Sequence, residues 1–389
     1  MTSINKIAIV TNVIPQYRED MYRRLFEHYG DKLHVYCQSS IPGMNLNLVH
    51  DKFRQHITII KAVGLTREKI AWQLLPVIKL FRQYDVIFFN GNPRVLSNVI
   101  WASLFKLLGK KIVIWGQYHT AGAHSITERL RLFWWRIFDY LFLYTDKEAG
   151  QYKARFPSEK TIVGMNNGLN LAEIDEAIKF VNEKGLDTWK RQHGLERSLM
   201  ILSCARLDKK NRFDFFIDCL PELIRQYPEL VWCVIGKGNE ETLLRAQARE
   251  LGVDDHIKWL GAMYIQEELA PWFMSSRLLI HPGAIGLSLM HAMGYGLPVI
   301  THDNLELQMP EIAALDDGFN GVMYHEHNSH SLIMAISRIL GDADLAKRLS
   351  VNSRLTVENM FNTRIMAERF IEIVEKTGKK SLATSVNLL

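Results

Sequence analysis

The chain has 389 residues, 48% of them hydrophobic and 23% charged, with a formal net charge of +5. That length is about twice a typical domain and that balance is of an ordinary globular protein with ample core, so two domains are expected. The charge is too mildly basic for a nucleic-acid binder and no aromatic residues frame such a motif, no apolar stretch reaches the roughly 18 residues of a membrane-spanning helix, and the four cysteines form no CxxC pair, which excludes a disulfide framework or a cysteine metal site.

The first six residues run directly into a strand, leaving no room for a signal peptide, so a cytoplasmic protein is expected. Short apolar, β-branched runs follow at residues 6–11 (KIAIVT), 33–37, 57–61, 85–90 (DVIFFN), 111–116 (KIVIWG), 140–145 and 161–165, separated by charged helical stretches. Runs of this kind predict buried parallel strands in a sheet covered on both faces. The loop after the first run carries Tyr17 and Arg18, and the loop after the fifth carries Trp115-Gly-Gln-Tyr118-His119. Basic residues flank two early helices: Arg18, Arg23 and Arg24 one, and Arg67, Lys69, Lys79 and Arg82 the other. Residues 128–140 (ERLRLFWWRIFDY) form a basic, aromatic helix, readable either as a membrane-interface element or as a core helix with a cationic outer face.

Residues 171–195 are charged and helix-like with little strand signal, and are expected to link the halves. The strand–helix scheme then resumes at residues 198–205, 231–236, 257–261, 278–281 and 297–301. Two doubly wound domains of this kind bind ligands in a crevice outside the carboxyl ends of their strands. The first strand of the second half opens into Cys204-Ala-Arg206-Leu-Asp-Lys-Lys210-Asn211. Arg offers a planar fork to phosphate oxygens and Lys a compact charge, although paired lysines are usually solvated loop. Residues 281–300 (HPGAIGLSLMHAMGYGLPVI) read as a strand end, a glycine turn, a short helix over 287–294 and a break into a new strand. A helix N-terminus behind glycines presents unpaired N–H groups and partial positive charge, which suits a diphosphate. An ordinary strand–turn–helix reads the same way, and the cations at 206 and 210 favour the first reading. Asp342–Asp344 and His325-Glu-His327 are read as an inter-helix loop and a solvated loop, so no metal site is expected. A helix over 363–377 precedes a polar tail, 378–389, expected to be poorly ordered.

Arg206-Leu…Lys210-Asn211, Gly236-Lys-Gly238, Gly261 and residues 282–299 resemble, in order and spacing, the family 4 glycosyltransferases of the GT-B fold. Asn167-Gly-Leu-Asn170 is similar to that family's turn before the linker, and Pro310-Glu-Ile with Gly318-Phe-Asn-Gly321 to its downstream block. The resemblance covers the second half closely and the first half loosely. It implies an α/β chain of two Rossmann-like domains facing a central cleft: an acceptor domain over 1–170, a linker over 171–195, a donor domain over 196–362, and a 363–377 helix packing back on the first domain. It implies a retaining transferase that moves a hexose-type sugar from a nucleoside-diphosphate donor, UDP- or GDP-linked, with no other cofactor. Arg206 and Lys210 would hold the diphosphate, and Gly283, Ala284, Ile285, Gly286, Leu287 and Ser288 would line the sugar and phosphate turn. Gly236 and Gly238 would approach the ribose or base and Met263 the base. His119 resembles the family's histidine near the reaction centre, and Tyr17 and Arg18 would meet the acceptor or its phosphate.

The departures are specific. Two glutamates eight residues apart are usual on the donor-side segment, and here those positions are Gly283 and His291. A histidine still exchanges a hydrogen bond with a ribose hydroxyl, whereas a glycine offers only backbone, which leaves Glu311 as the candidate carboxylate for the sugar. The glycine pair after the first strand is replaced by Asn12-Val-Ile-Pro15-Gln-Tyr17-Arg18. The expected acceptor is a glycan or polyprenyl-linked saccharide in surface polysaccharide synthesis, at the inner membrane face and with peripheral membrane contact. The alternatives are a nucleotide-sugar epimerase or hydrolase of the same fold, and a non-catalytic subunit that binds the sugar nucleotide.

Overall fold

The structure is a computed structural model and describes residues 6–40, 50–65, 70–119 and 125–386; Arg67, Lys69 and the first five residues lie outside it. The chain divides into two units, Met1–Asn167 together with Thr363–Leu389, and Gly168–Asn362.

In the first unit β1 (Ile7–Val10), β2 (Leu33–Cys37) and β3 (Ile57–Ile59) are followed by a two-stranded antiparallel hairpin, β4 (Ala62–Leu65) and β5 (Ile70–Gln73). Then come β6 (Val86–Asn90), β7 (Lys111–Gly116), β8 (Tyr140–Leu143) and β9 (Thr161–Gly164). Seven of them make one parallel sheet in the order β3-β2-β1-β6-β7-β8-β9. The sequences IAIV and YLFL are buried at every position, which only a sheet covered on both faces allows. One covering layer is the C-terminal helix, Thr363–Val386, whose Phe370 stacks on Phe88 of β6 with ring centroids 4.3 Å apart. On the other face Trp135 of the Ser125–Trp135 helix is fully buried and donates its indole N–H to the Gly91 carbonyl (3.1 Å). The tryptophans of this helix are core, as the second reading expects, while Leu130 and Phe133 stand 63% and 69% exposed.

The second unit builds β10 (Leu199–Cys204), β11 (Leu230–Ile235), β12 (Ile257–Gly261), β13 (Leu278–His281), β14 (Val299–His302) and β15 (Gly321–Tyr324). They form a six-stranded parallel sheet in the order β12-β11-β10-β13-β14-β15. The residues expected to link the halves are instead two helices of this unit, Leu171–Lys184 and Leu186–Gln192. Asn170 caps the first by accepting from the Ala172 N–H (3.2 Å), and Ala177 and Val181 pack on Ala270. The charge that suggested a linker is the outer face of an amphipathic helix. The C-terminal helix likewise continues to Val386, through the segment expected to be a loose tail.

Each sheet reverses its strand order once, between β1 and β6 in the first unit and between β10 and β13 in the second. The loops leaving the carboxyl ends at a reversal diverge to opposite faces and leave a crevice. Arg18 and Asn90 follow one reversal, and Arg206 and Gly283 follow the other.

Candidate functional site

In the second unit the loops after β10 and β13 are in backbone contact. A Cβ placed on Gly283 would stand 2.1 Å from the Lys210 carbonyl oxygen and 2.6 Å from Asn211 Cα, so this position admits no side chain while the loops touch. The loops after β10 and β11 meet in the same way, because a Cβ on Gly236 or Gly238 would fall within 2.3 Å of the Ala205 or Leu207 carbonyl. Asn211 is buried and donates its side-chain amide to the Arg206 carbonyl (2.7 Å), which shapes the loop that carries both cations. Arg206 is 67% exposed with its Nε 3.3 Å from Asp208, and Lys210 is exposed with no ion pair among the described residues.

The helix Leu287–Gly294 begins beside them, its N-cap Gly286 supplying no side-chain acceptor for the first N–H groups. The Leu289 N–H turns back to the Gly286 carbonyl (2.9 Å), so the N–H groups of Leu287 and Ser288 are those that would meet an anion at the positive end of the helix dipole. Not every residue of the turn is available, however. The Ile285 N–H donates to Gln308 Oε1 (2.8 Å), and the Ser288 hydroxyl donates to the Cys204 carbonyl, fastening the helix to the end of β10. Gln308 is itself buried, and its Nε2 donates to Thr301 Oγ1 and the His302 carbonyl, both at 3.0 Å. One amide thus braces the glycine turn on β14. Glu311, 5% exposed in the short helix Pro310–Ala314, lies against Gly286, with Oε2 3.9 Å from where a Cβ there would be.

Two histidines of the segment are neutral at pH 7. Burial pushes His281 down to about 4, against a smaller opposing hydrogen bond to the Gly283 backbone, and burial does the same to His291. His291 accepts from Gln266 Nε2 (3.1 Å), whose Oε1 accepts from Tyr295 Oη (3.0 Å). That orients His291 within the helix packing, with one ring nitrogen already used. Met263 lines a cavity of about 540 Å³ with Trp189, His193, Glu267 and Trp272.

In the first unit, the reversal between β1 and β6 opens on a cavity of about 820 Å³ lined by Thr11, Arg18, Asn90, Arg94, Gln117 and Arg131, among others. Arg18 is buried there, donating Nη2 to Tyr144 Oη (2.9 Å) and Asn167 Oδ1 (3.4 Å), and Tyr17 flanks its guanidinium at 5.4 Å. His119 is 32% exposed, with Nδ1 3.8 Å from Glu128 Oε2 and its backbone N–H on Glu148 Oε1 (3.1 Å). Buried Glu148 also accepts the Tyr144 N–H (3.0 Å), joining the loops after β7 and β8.

The structure therefore brings Arg206, Lys210, Gly236, Gly238, Gly283, Ala284, Ile285, Gly286, Leu287, Ser288 and Glu311 to one end of the second sheet. It places Tyr17, Arg18 and His119 in the first unit. Sequence reasoning missed Gln308, Glu148, Arg94 and Arg131, which carry no local motif. Among the described residues no group of three or more His, Cys, Asp or Glu could hold a metal ion, and no helix is long and apolar enough to cross a membrane. His325, one of the histidines considered, pairs with Asp303 at 2.7 Å.

Comparison with known proteins bears on the fold. Residues 186–356 match the family model described as glycosyl transferases group 1. The chain is 24% identical to the UDP-N-acetylglucosamine–peptide N-acetylglucosaminyltransferase GtfA subunit of Streptococcus gordonii, over 73% of this chain and 55% of that protein. It is 26% identical to the amylovoran biosynthesis glycosyltransferase AmsK of Erwinia amylovora, over 48% of this chain and 47% of that one. The chain thus spans about half the length of these curated relatives. Among solved structures, Anabaena HepE in complex with UDP superposes with a TM-score of 0.70 at 16% identity, covering 95% of this chain and all of that one. The lipopolysaccharide outer core galactosyltransferase WaaB does so at 0.66 and 16%, covering 96% and 99%. The fold is the GT-B fold, with a parallel sheet in each Rossmann-like unit, and the match to the model of glycosyl transferases group 1 lies within the second unit.

Proposed function

We propose that the protein is a retaining glycosyltransferase that moves a hexose-type sugar from a nucleoside-diphosphate donor to a glycan or lipid-linked acceptor in surface polysaccharide synthesis. The observation that carries this reading is the junction at the second strand reversal. Gly283 lets the Lys210 loop lie directly on the glycine turn, which puts two cations beside an uncapped helix N-terminus. Arg206, Lys210 and the first N–H groups of that helix meet the diphosphate, so a growing negative charge is stabilised by groups already in place. In this reading the charge is met by side chains and main-chain N–H groups rather than by a metal ion.

The acceptor hydroxyl oxygen attacks the anomeric carbon from the face the diphosphate leaves. The bond to the diphosphate oxygen breaks, and that oxygen takes the hydroxyl proton. With no side chain possible at Gly283, Glu311 beside Gly286 is the carboxylate for the donor sugar's hydroxyls, and Gly236, Gly238 and Met263 serve the nucleoside. His119, Tyr17 and Arg18 act from the first unit on the acceptor side. UDP is the favoured nucleotide, since HepE is bound to UDP and the GtfA relative is described as using UDP-N-acetylglucosamine. Peripheral contact with the cytoplasmic membrane face is supported by exposed apolar residues of the first unit, among them Leu107 at 83% and Phe133 at 69%.

A second reading, a subunit that binds the nucleotide sugar without transferring it, is favoured by the engaged, neutral His291 and by Gly283. Incubation with UDP- and GDP-sugars, with and without lipid-linked saccharides, decides between them. Acceptor-dependent nucleotide release with retained anomeric configuration supports the transferase. Conversion of donor alone supports an epimerase or hydrolase, and binding without release the subunit.

A further inference from the structure

Among its described residues, the first unit buries a positive charge with no carboxylate in ion-pair distance. Arg18 is 8% exposed, and only neutral groups hold its guanidinium: the Tyr144 hydroxyl, the Asn167 amide, and the faces of Trp115 and Tyr144, each centred 5.3 Å away. Its Nε has no hydrogen-bond partner, and among the described residues no carboxylate comes within 4 Å. Taking a charge out of water without a counter-ion is costly, and aromatic faces return only part of that cost. A planar fork left in this state is shaped for an oxyanion.

The surroundings repeat the signal. Arg18 lines the cavity of about 820 Å³ at the β1–β6 reversal, where α/β units bind their ligands. Three guanidiniums line it, those of Arg18, Arg94 and Arg131, against the single carboxylate of Glu128. That carboxylate is occupied, with Oε1 3.7 Å from Arg155 and Oε2 3.8 Å from His119. Arg131 donates Nη2 to the Tyr118 carbonyl (2.6 Å), whereas Arg94 stands exposed on the loop after β6.

We propose that this cavity binds a phosphate group of the acceptor, seated on Arg18 and Arg94, so that the acceptor is a phosphorylated saccharide rather than a neutral glycan. The proposal rests on the transferase reading for the word acceptor, but the phosphate site stands on the geometry of the first unit alone. A phosphate dianion matches the surplus of guanidinium charge better than a single carboxylate does. The phosphate comes either from a soluble sugar phosphate or from a polyprenyl diphosphate carrier.

The test has two parts. Binding of inorganic phosphate and pyrophosphate to the full chain is measured by calorimetry, with nucleoside diphosphate saturating the second unit. Wild type should bind, and Arg94→Gln and Arg18→Gln should each weaken binding tenfold or more. Arg94 is exposed, so its substitution carries the test even where Arg18→Gln does not fold. Transfer is then compared on one sugar presented as the 1-phosphate, as the polyprenyl diphosphate in micelles, and as a neutral alkyl glycoside. A preference for either phosphorylated form, lost in Arg94→Gln through KM, supports the site and identifies the source. No phosphate binding beyond the donor site overturns the proposal, as does a neutral glycoside that serves equally well, while transfer on that glycoside leaves the transferase reading intact. Phosphate binding with no transfer to any acceptor has the opposite meaning: the site stands and the transferase reading falls.

Discussion

Arg206 and Gly283 act through opposite properties, one by what its side chain reaches and the other by having none. Arg206 is 67% exposed and bonded only to its own loop, so its removal costs the fold little. Loss of one preorganised donor to a developing charge typically costs about 2.7–4 kcal/mol in the transition state, so Arg206→Ala should lower kcat about a hundredfold or more at an unchanged melting temperature. Wild-type turnover in that variant would remove it from the mechanism. Gly283→Glu, which supplies the glutamate that the resemblance leads one to expect at this position, should destabilise the second unit rather than improve catalysis, because its Cβ would meet the Lys210 carbonyl at 2.1 Å. Forced overpacking of this kind costs about 1–3 kcal/mol, readable as a lower urea midpoint together with weaker donor binding. His281 carries a pH dependence with a definite sign. Its folded pKa is pushed from 6.5 to about 4, so the unfolded chain takes up a proton in that window that the folded unit refuses. Stability is therefore full above about pH 6.5 and falls as pH drops towards 4, by about 2 kcal/mol at pH 5 from this residue. Urea midpoints at pH 7 and pH 5 should diverge in wild type and diverge less in His281→Asn, where His291, lowered to about 4 as well, still contributes; equal pH sensitivity in both would show that His281 is not a cause.

At the scale of elements, the donor-side segment was readable almost to the residue. The strand Leu278–His281 and the helix Leu287–Gly294 stand where the apolar run and the glycine breaks predict them, because a strand buried on both faces reads as a near-continuous apolar run. The hairpin β4–β5 and the edge strand β15, four residues each, escaped notice. Residues 171–195 read as helix-like, and their charged outer face suggests a linker, whereas Ile174, Ala177 and Val181 at i, i+3 and i+7 are the buried stripe of a helix within the second unit. Site chemistry divides the same way. Arg206 and Lys210 announce themselves by position after a strand, whereas the brace at Gln308 is a contact across 23 residues between a loop and a glycine turn. No periodicity encodes such a contact. Gln308→Leu keeps the volume but leaves the buried Ile285 N–H unpaired, at about 1–3 kcal/mol. The expected result is a lower unfolding midpoint and weaker nucleotide-sugar binding together, since the turn proposed to meet the diphosphate loses its support. A loss of stability with full donor affinity would show the brace to be structural only.

For the molecule as a whole, the unsettled question is what meets the apolar residues that the first unit leaves in water. On the helix Leu96–Leu107, residues Leu96, Ile100, Leu104 and Leu107 recur at spacings of four, four and three, and all are exposed. Leu130, Phe133 and Ile137 form a second exposed stripe on and just past the Ser125–Trp135 helix. The two helices are fastened together by the Trp134 indole N–H on Ser103 Oγ (3.1 Å), so the stripes lie on neighbouring helices. Arg129 and Arg136 are exposed beside the second stripe. Leucines and phenylalanine flanked by arginine suit the interface of an anionic bilayer, where each apolar side chain gains about 1.5–3 kcal/mol on burial and each cation about 1 kcal/mol. The protein should therefore co-sediment with vesicles containing anionic lipid, less so at high salt. Leu107→Glu with Phe133→Glu should lower the partition coefficient tenfold or more without moving the melting temperature, since both positions are solvated in the fold. Co-sedimentation of that double variant at the wild-type level would mean that this face meets something other than lipid. If it does meet lipid, a polyprenyl-linked acceptor reaches the first unit from the membrane on which that unit sits, and catalysis on vesicles should fall with the partition coefficient while transfer to a soluble sugar phosphate does not.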